Sequence, residues 1–302
     1  MNAIKNRKHK LPLKHAVAMA AMLLPAAAQA DAQQVLPQIT VREGAVNDFK
    51  ADKAQSPKYT QPLVDTPQTI TVIKKELIEQ QGALTLTEAL RNTPGVGTFF
   101  LGENGNTNTG DAIYMRGFDS SSSIYVDGVR DIGSISRDTF NIEQIDVLKG
   151  PAGTDSGRSA PTGSINLASK QATLEQAASG SLVAGSASFK RATVDANRVL
   201  NATNGTALRL NAMVQDGGVV GRNEAHTKRW AVAPSLAFGL AGPGKLVLNY
   251  LHVKQDNVPD GGVPTIGLPG YSSPDPARAL IGAAKPVDPR NFYGSSSDFD
   301  DV

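Results

Sequence analysis

The chain contains no cysteine. Disulfides, thiolate metal sites and a cysteine nucleophile are excluded with it. Histidine is scarce as well. There are four, and His9 and His15 fall within the first 30 residues. His226 and His252 have no ligand set near them in sequence, so no metal site is expected. No GxSxG elbow occurs, and nothing joins a nucleophile to a base. No catalytic residue is found and no enzyme is expected. Long apolar runs are also missing. Past the N-terminus, no segment approaches the roughly 18 apolar residues of a membrane helix. A strand-built barrel stays open, because its signal is only alternation over segments of about ten residues.

What is present begins with a basic leader. MNAIKNRKHKLPLKH carries Lys5, Arg7, Lys8, Lys10 and Lys14 and no acid. AVAMAAMLLPAAA follows, and Ala28-Gln29-Ala30 fits a small-x-small cleavage site. Residues 1–30 are expected to be a Sec-type signal peptide. Its apolar run is too short and too alanine-rich to span a bilayer core of about 30 Å. Without it, 25 Lys+Arg remain against 28 Asp+Glu, a balance of −3. The apparent basicity belongs to the leader, so no nucleic-acid partner is expected.

Residues 31–68 are polar and broken by Pro37, Pro57, Pro62 and Pro67. They read as a mobile, extended arm. Within it, LPQITVRE holds one β-prone triplet, Ile39-Thr40-Val41. Residues 69–172 read as a compact α/β domain. TITVI is a strand, KKELIEQQ a short helix ended by Gly82, and TLTEALRN a second helix opened by the capping box Thr85-x-x-Glu88. AIYMRGF, SIYVDGV, IEQIDVLKG and SINLASK are strand candidates, with Asp127-Gly128 a hairpin signal.

From about 179 the texture changes. RWAVAPSLAFGL puts Trp230, Val232, Pro234, Leu236 and Phe238 on one face and Ala231, Ala233, Ser235 and Ala237 on the other. ALRLNAMVQ sets Leu208, Leu210, Ala212 and Val214 opposite Arg209, Asn211, Met213 and Gln215. With SLVAGSAS, TVDANRVLN and KLVLNYLHVKQ this makes an antiparallel meander of five strands. Alternation alone fits either half of a soluble sandwich or the wall of a transmembrane barrel.

One loop invites a different reading. GPAGTDSGRSAPTG, residues 150–163, follows a strand and is rich in glycine. It lacks the GxxxxGK[ST] and GxGxxG registers, and a strand rather than a helix follows it. The helix N-terminus that would hold phosphate is therefore missing, and nucleotide binding is not expected.

These motifs, in this order, resemble the TonB-dependent outer-membrane siderophore receptors. The resemblance covers residues 35–302. It rests on ITV at 39–41, DTPQTITVIKKELIEQQGALTLTEALRNTPGV, IYMRGF, IYVDGVRD and IEQIDVLKGPAGTDSGRSAPTGSINLASK. GTDSGRSAPTGSIN and DNVPDGGVPTIGLPG look most like the ferric catecholate receptors.

The resemblance implies a signal peptide (1–30) and an arm with a TonB box (31–68; Ile39, Thr40, Val41). It further implies an α/β plug domain, a small mixed sheet with short helices (69–172), and then the start of an antiparallel transmembrane β-barrel (173–302). It implies uptake of a ferric siderophore, with iron as cargo and no cofactor. The implied partners are TonB with its inner-membrane energising complex, the siderophore and outer-membrane lipid. Arg116 and Lys149 match the basic residues that lock plug to wall in the family. Phe99, Phe100, Arg130 and Arg137 lie in the matching apical loops and are the siderophore candidates.

A closed receptor barrel has about 22 strands. With about five strands and a closing extracellular loop, the chain is expected to be an N-terminal fragment, unable to transport alone. A truncated plug that competes for TonB, or an exported binding protein, are the alternatives.

Overall fold

The computed structural model describes residues 48–101, 106–151, 161–262, 288, 290–292 and 299–301. The leader, Ile39–Val41 and residues 152–160 of the glycine loop lie outside them.

The N-terminal domain is a five-stranded sheet in the order β1-β7-β8-β5-β6. Its strands are β1 (Thr69–Lys74), β5 (Ile124–Val126), β6 (Val129–Asp131), β7 (Ile142–Lys149) and β8 (Gly163–Ser169). All pairs are antiparallel except β5 with β8, so the sheet is mixed. Helix α1 (Lys75–Gln81) ends at Gly82, whose φ of 63° only glycine adopts without cost. Helix α2 (Leu86–Leu90) is opened by Thr85, whose hydroxyl accepts from Glu88 N–H. The Glu88 carboxylate returns to the N–H of Leu84, one residue before the cap, at 2.7 Å.

Leu86, Leu90, Ile113, Ile124, Ile145, Val147 and Ile165 form the core and are fully buried. Each contributes about 1.5–3 kcal/mol by burial.

Two sequence readings change here. AIYMRGF is a hairpin, not one strand. β3 (Ala112–Met115) turns at Arg116-Gly117, both at positive φ, into β4 (Phe118–Asp119). Its other neighbour, β2 (Val96–Phe99), was not expected. Residues 48–68, expected as mobile arm, lie against the sheet. Ala54 and Ser56 are buried, and the N–H groups of Gln55 and Ser56 bond to Asp146 on β7.

The second part is the expected meander: β9 (Ala177–Ala184), β10 (Lys190–Asn201), β11 (Thr206–Gly218), β12 (His226–Phe238) and a fifth, broken strand. That strand is split into β13 (Leu246–Asn249) and β14 (His252–Asn257). The break faces Pro234. β12 pairs β13 from Ser235 onward and β14 up to Val232. Proline has no N–H to offer the ladder at that point. A short β15 (Phe299–Asp301) pairs with β14.

The two faces of this sheet differ. Arg209, Asn211, Met213, Gln215, Arg229, Ala231, Ala233, Ser235 and Ala237 are buried against the first domain. Leu208, Leu210, Val214, Trp230 and Phe238 are exposed. A sandwich would bury the large apolar face; here it points outward, as in a lipid-facing wall. Register strengthens this. Lys190, Asp216 and Lys228 share one outward rung. The rungs Val194–Ala212–Val232 and Ala196–Leu210–Pro234 below it are apolar. A 13-residue strand is roughly 43 Å long and covers about 33 Å when tilted near 40°, enough for a hydrocarbon core.

Candidate functional site

The plug meets the wall through charge. Asp138, just before β7, receives Arg191 of β10 on both oxygens, at 2.7 and 2.8 Å. Arg229 of β12 reaches the same carboxylate at 3.1 Å. Gln215 Oε1 accepts from both guanidinium groups and holds them side by side. All four side chains are buried. One carboxylate offsets only one of the two buried arginine charges, and the neutral Gln215 Oε1 supplies the shared acceptor between them.

A second cluster lies nearer the turn joining β10 to β11. Glu143 of β7 pairs with Lys75 of α1 and with Arg209 of β11. Arg209 pairs with Asp195 of β10, which also takes Lys170 from the plug's exit segment. Between the clusters, Phe140 packs on Met213, Ala231 and Ala233. Thr173 and Ala172 are fixed to the wall by Asn197 and Ser235. Segments 136–143 and 170–175 thus tie the plug to β10–β14.

Above the Asp138 cluster, plug and wall enclose a cavity of about 660 Å³. Phe99 and Phe100 line it from the plug, Phe189 and His226 from the wall, and Gln215 and Arg229 near the cluster. The Phe99 ring meets Tyr114 edge-on at 5.2 Å, and the Arg91 guanidinium lies 4.8 Å from the Phe100 ring centre. Aromatic rings beside arginine suit an anionic, aromatic ligand. Asp111 also borders the cavity. Burial pushes its carboxyl up to about 6, against the opposing pull of Arg137.

The sequence-derived candidates are scattered. Phe99 and Phe100 share the cavity. Arg130 lies apart, exposed on β6, its Nε–H bonded to the carbonyl of Ser122. Arg137 is 7% exposed and engages Asp111, Asp131 and the carbonyl of Gly133. Its guanidinium is held by the plug's own acceptors.

Arg116 sits exposed in its turn at φ 53°, beside Gly150, and Lys149 ends β7. Among the described residues neither forms an ion pair, and the plug–wall ion pairs seen are those of Asp138, Glu143 and Lys170. Sequence reasoning missed these. The available signal was parity: Arg191, Arg209 and Arg229 occupy inward positions on strands whose other face is apolar.

Comparison with known proteins agrees with this architecture. Residues 62–164 match the family model of the TonB-dependent Receptor Plug Domain. The chain is 53% identical over 281 residues to the Catecholate siderophore receptor Fiu of Escherichia coli strain UTI89, covering 93% of this chain and 36% of that one. It is 41% identical to the Probable TonB-dependent receptor BfrD of Bordetella pertussis, covering 95% and 37%. Its fold is similar to the closed-form crystal structure of the Ferric-Catecholate import receptor Fiu from Escherichia coli K12, with a TM-score of 0.76 and 54% identity, over 84% of this chain and 35% of that one. The chain therefore spans little more than a third of the length of the relatives it matches.

Proposed function

From a chain that belongs to the TonB-dependent receptors of the outer membrane, we propose a role as the plug and first wall strands of a receptor that imports a ferric siderophore of the catecholate class. The relatives are receptors, not enzymes. The observation that carries the reading is the pairing of a plug with an outward-apolar wall at 53% identity to a catecholate receptor.

In this reading Phe99 and Phe100 receive the anionic, aromatic cargo from the plug, and Arg130 and Arg137 add positive charge on the neighbouring apical loops. Ile39-Thr40-Val41 pairs with TonB by strand addition. Energy comes from the inner-membrane proton gradient through TonB and its energising complex. Arg116 and Lys149 lock the plug to wall strands other than β9–β14. Lysine offers a point charge where arginine offers a fork, so the Lys149 contact is the weaker. The iron enters and leaves as cargo. The domain limits are the leader to residue 30, the arm to 68, the plug to 172 and the wall from 173. With β9–β14 alone no closed barrel forms, and these 302 residues by themselves do not transport.

A chimera tests this. The chain replaces the matching third of the Escherichia coli catecholate receptor, in cells lacking other catecholate receptors. The expected result is uptake of a radiolabelled ferric catecholate that Thr40→Pro abolishes. Uptake insensitive to Thr40→Pro, or an assembled chimera that binds no ferric catecholate, refutes the proposal. Uptake by the 302 residues alone refutes its last part.

A further inference from the structure

We propose that residues 51–60 form a detachable strap over the plug sheet, held mainly by the Asp146 carboxylate, and that the strap comes away while the sheet beneath it stays folded.

The plug sheet has two unlike faces. One carries Ile145, Val147 and Ile165 into the apolar core. The other carries Gln144 and Asp146 of β7 and Ser164 and Asn166 of β8, all buried polar side chains. Residues 51–60 lie over this polar face. Asp146 Oδ2 accepts from the N–H of Gln55 and of Ser56, each at 2.9 Å. Gln144 Nε2 donates to Asp146 Oδ1 and to the carbonyl of Lys53.

The strap adds little apolar packing. Within 51–60 only Ala54 and Ser56 are buried, both small. Tyr59 touches Leu148 and Ile70, and Pro57 lies over Gly128, where a Cβ would come within 3.0 Å of its ring. A void of about 20 Å³ remains between Ser56, Tyr59, Asp146 and Ser164. Lifting the strap therefore exposes mostly polar groups, which water can solvate. Lifting β1 or β8 exposes the core. Segments with few buried apolar contacts open at lower free energy than those that carry the core.

The location gives this a use. The strap lies between the plug sheet and Ile39–Val41 in sequence, so tension on the arm meets the exposed contact of the Asp48 carbonyl with Lys74 and then Asp146, before it reaches the backbone ladder of the sheet. That use rests on the reading that TonB grips the arm; the strap itself does not.

Hydrogen exchange on the 302-residue chain in detergent tests it. In the wild type, the amides of Gln55 and Ser56 exchange at least tenfold faster than those of Ile145 and Val147, and still slower than in an unfolded peptide. Asp146→Asn speeds exchange at Gln55 and Ser56 a further tenfold or more and leaves Ile145 and Val147 unchanged. Equal protection of strap and sheet in the wild type overturns the proposal, as does unaltered strap exchange in a folded Asp146→Asn. Should that variant not fold, the wild-type comparison decides alone. A strap that opens as described in a chain whose arm does not bind TonB removes the TonB reading and leaves the strap.

Discussion

Asp138 engages two arginines at once, and its removal strands both. Arg191 and Arg229 are 3% and 5% exposed at their side chains. Taking one partner from a buried ion pair costs about 3–5 kcal/mol, largely as uncompensated charge. Asp138→Ala is predicted to destabilise the chain by that order, read from urea unfolding in detergent. A double-mutant cycle with Arg191→Met should recover part of the loss, since the second change removes one stranded charge. Additive losses would show that the contact is dispensable.

Asp111 makes the pH prediction at this same scale. Its folded-state pKa of about 6 lies above the usual carboxylate value. The folded state then binds more protons than the unfolded one between roughly pH 4 and 6. Stability from this group is present at low pH and is lost as pH rises through about 6. Asp111→Asn should flatten that part of the stability–pH curve, measured as urea midpoints from pH 4 to 8. An unchanged slope would assign it elsewhere.

At the scale of elements, alternation was the legible feature. The strands of the meander and their two unlike faces follow from the side-chain period of two, while which face turns outward does not, since the same alternation fits a sandwich. The capping box, the Gly82 stop and the Asp127-Gly128 hairpin were equally legible, because each is set by residues within a few positions. Three features were not. The strap is held by Asp146 across 90 residues, through backbone N–H groups that leave no side-chain pattern. Asp138 finds Arg191 across 53 residues. The split between β13 and β14 is caused by a proline on the neighbouring strand. The cavity follows from these long-range pairings, so the sequence offered Phe99, Phe100, Arg130 and Arg137 as one set, and of these four the two phenylalanines line the cavity.

Parity also yields a prediction for single wall positions. Leu210 lies on the outward face of β11, 43% exposed, with the apolar rung Val194–Ala212–Val232 on one side and the rung Arg198–Leu208–Leu236 on the other. Leu210→Arg is predicted to cost about 2–4 kcal/mol if this rung sits near the bilayer midplane. The measurement is unfolding of the chimera from lipid vesicles. A loss below about 1 kcal/mol, the value for interfacial positions, would move the rung away from the midplane.

For the whole molecule, the plug is held on one side. Among the described residues its wall contacts come mainly from 136–143 and 170–175, with one long contact from Asn249 of β13 to Asp127 at 3.5 Å. Away from them, at the β6 edge of the plug sheet, Val129 and Ile132 are 73% and 79% exposed, and Phe118 on β4 is 66% exposed. Exposed large side chains on an unpaired sheet edge invite association. In a closed barrel such an edge would face further wall strands. The 302-residue chain is therefore predicted to self-associate in dilute detergent. Val129→Lys with Ile132→Lys should reduce that association in sedimentation runs and leave the urea midpoint of the plug nearly unchanged, as expected for exposed positions. In the chimera, where the remaining wall is supplied, the same pair should lower the yield of assembled receptor, because two charges then lack partners against the wall. Unchanged sedimentation of the chain together with full assembly of the chimera would mean that this edge faces solvent in both, and that the plug is gripped from the β10–β14 side alone.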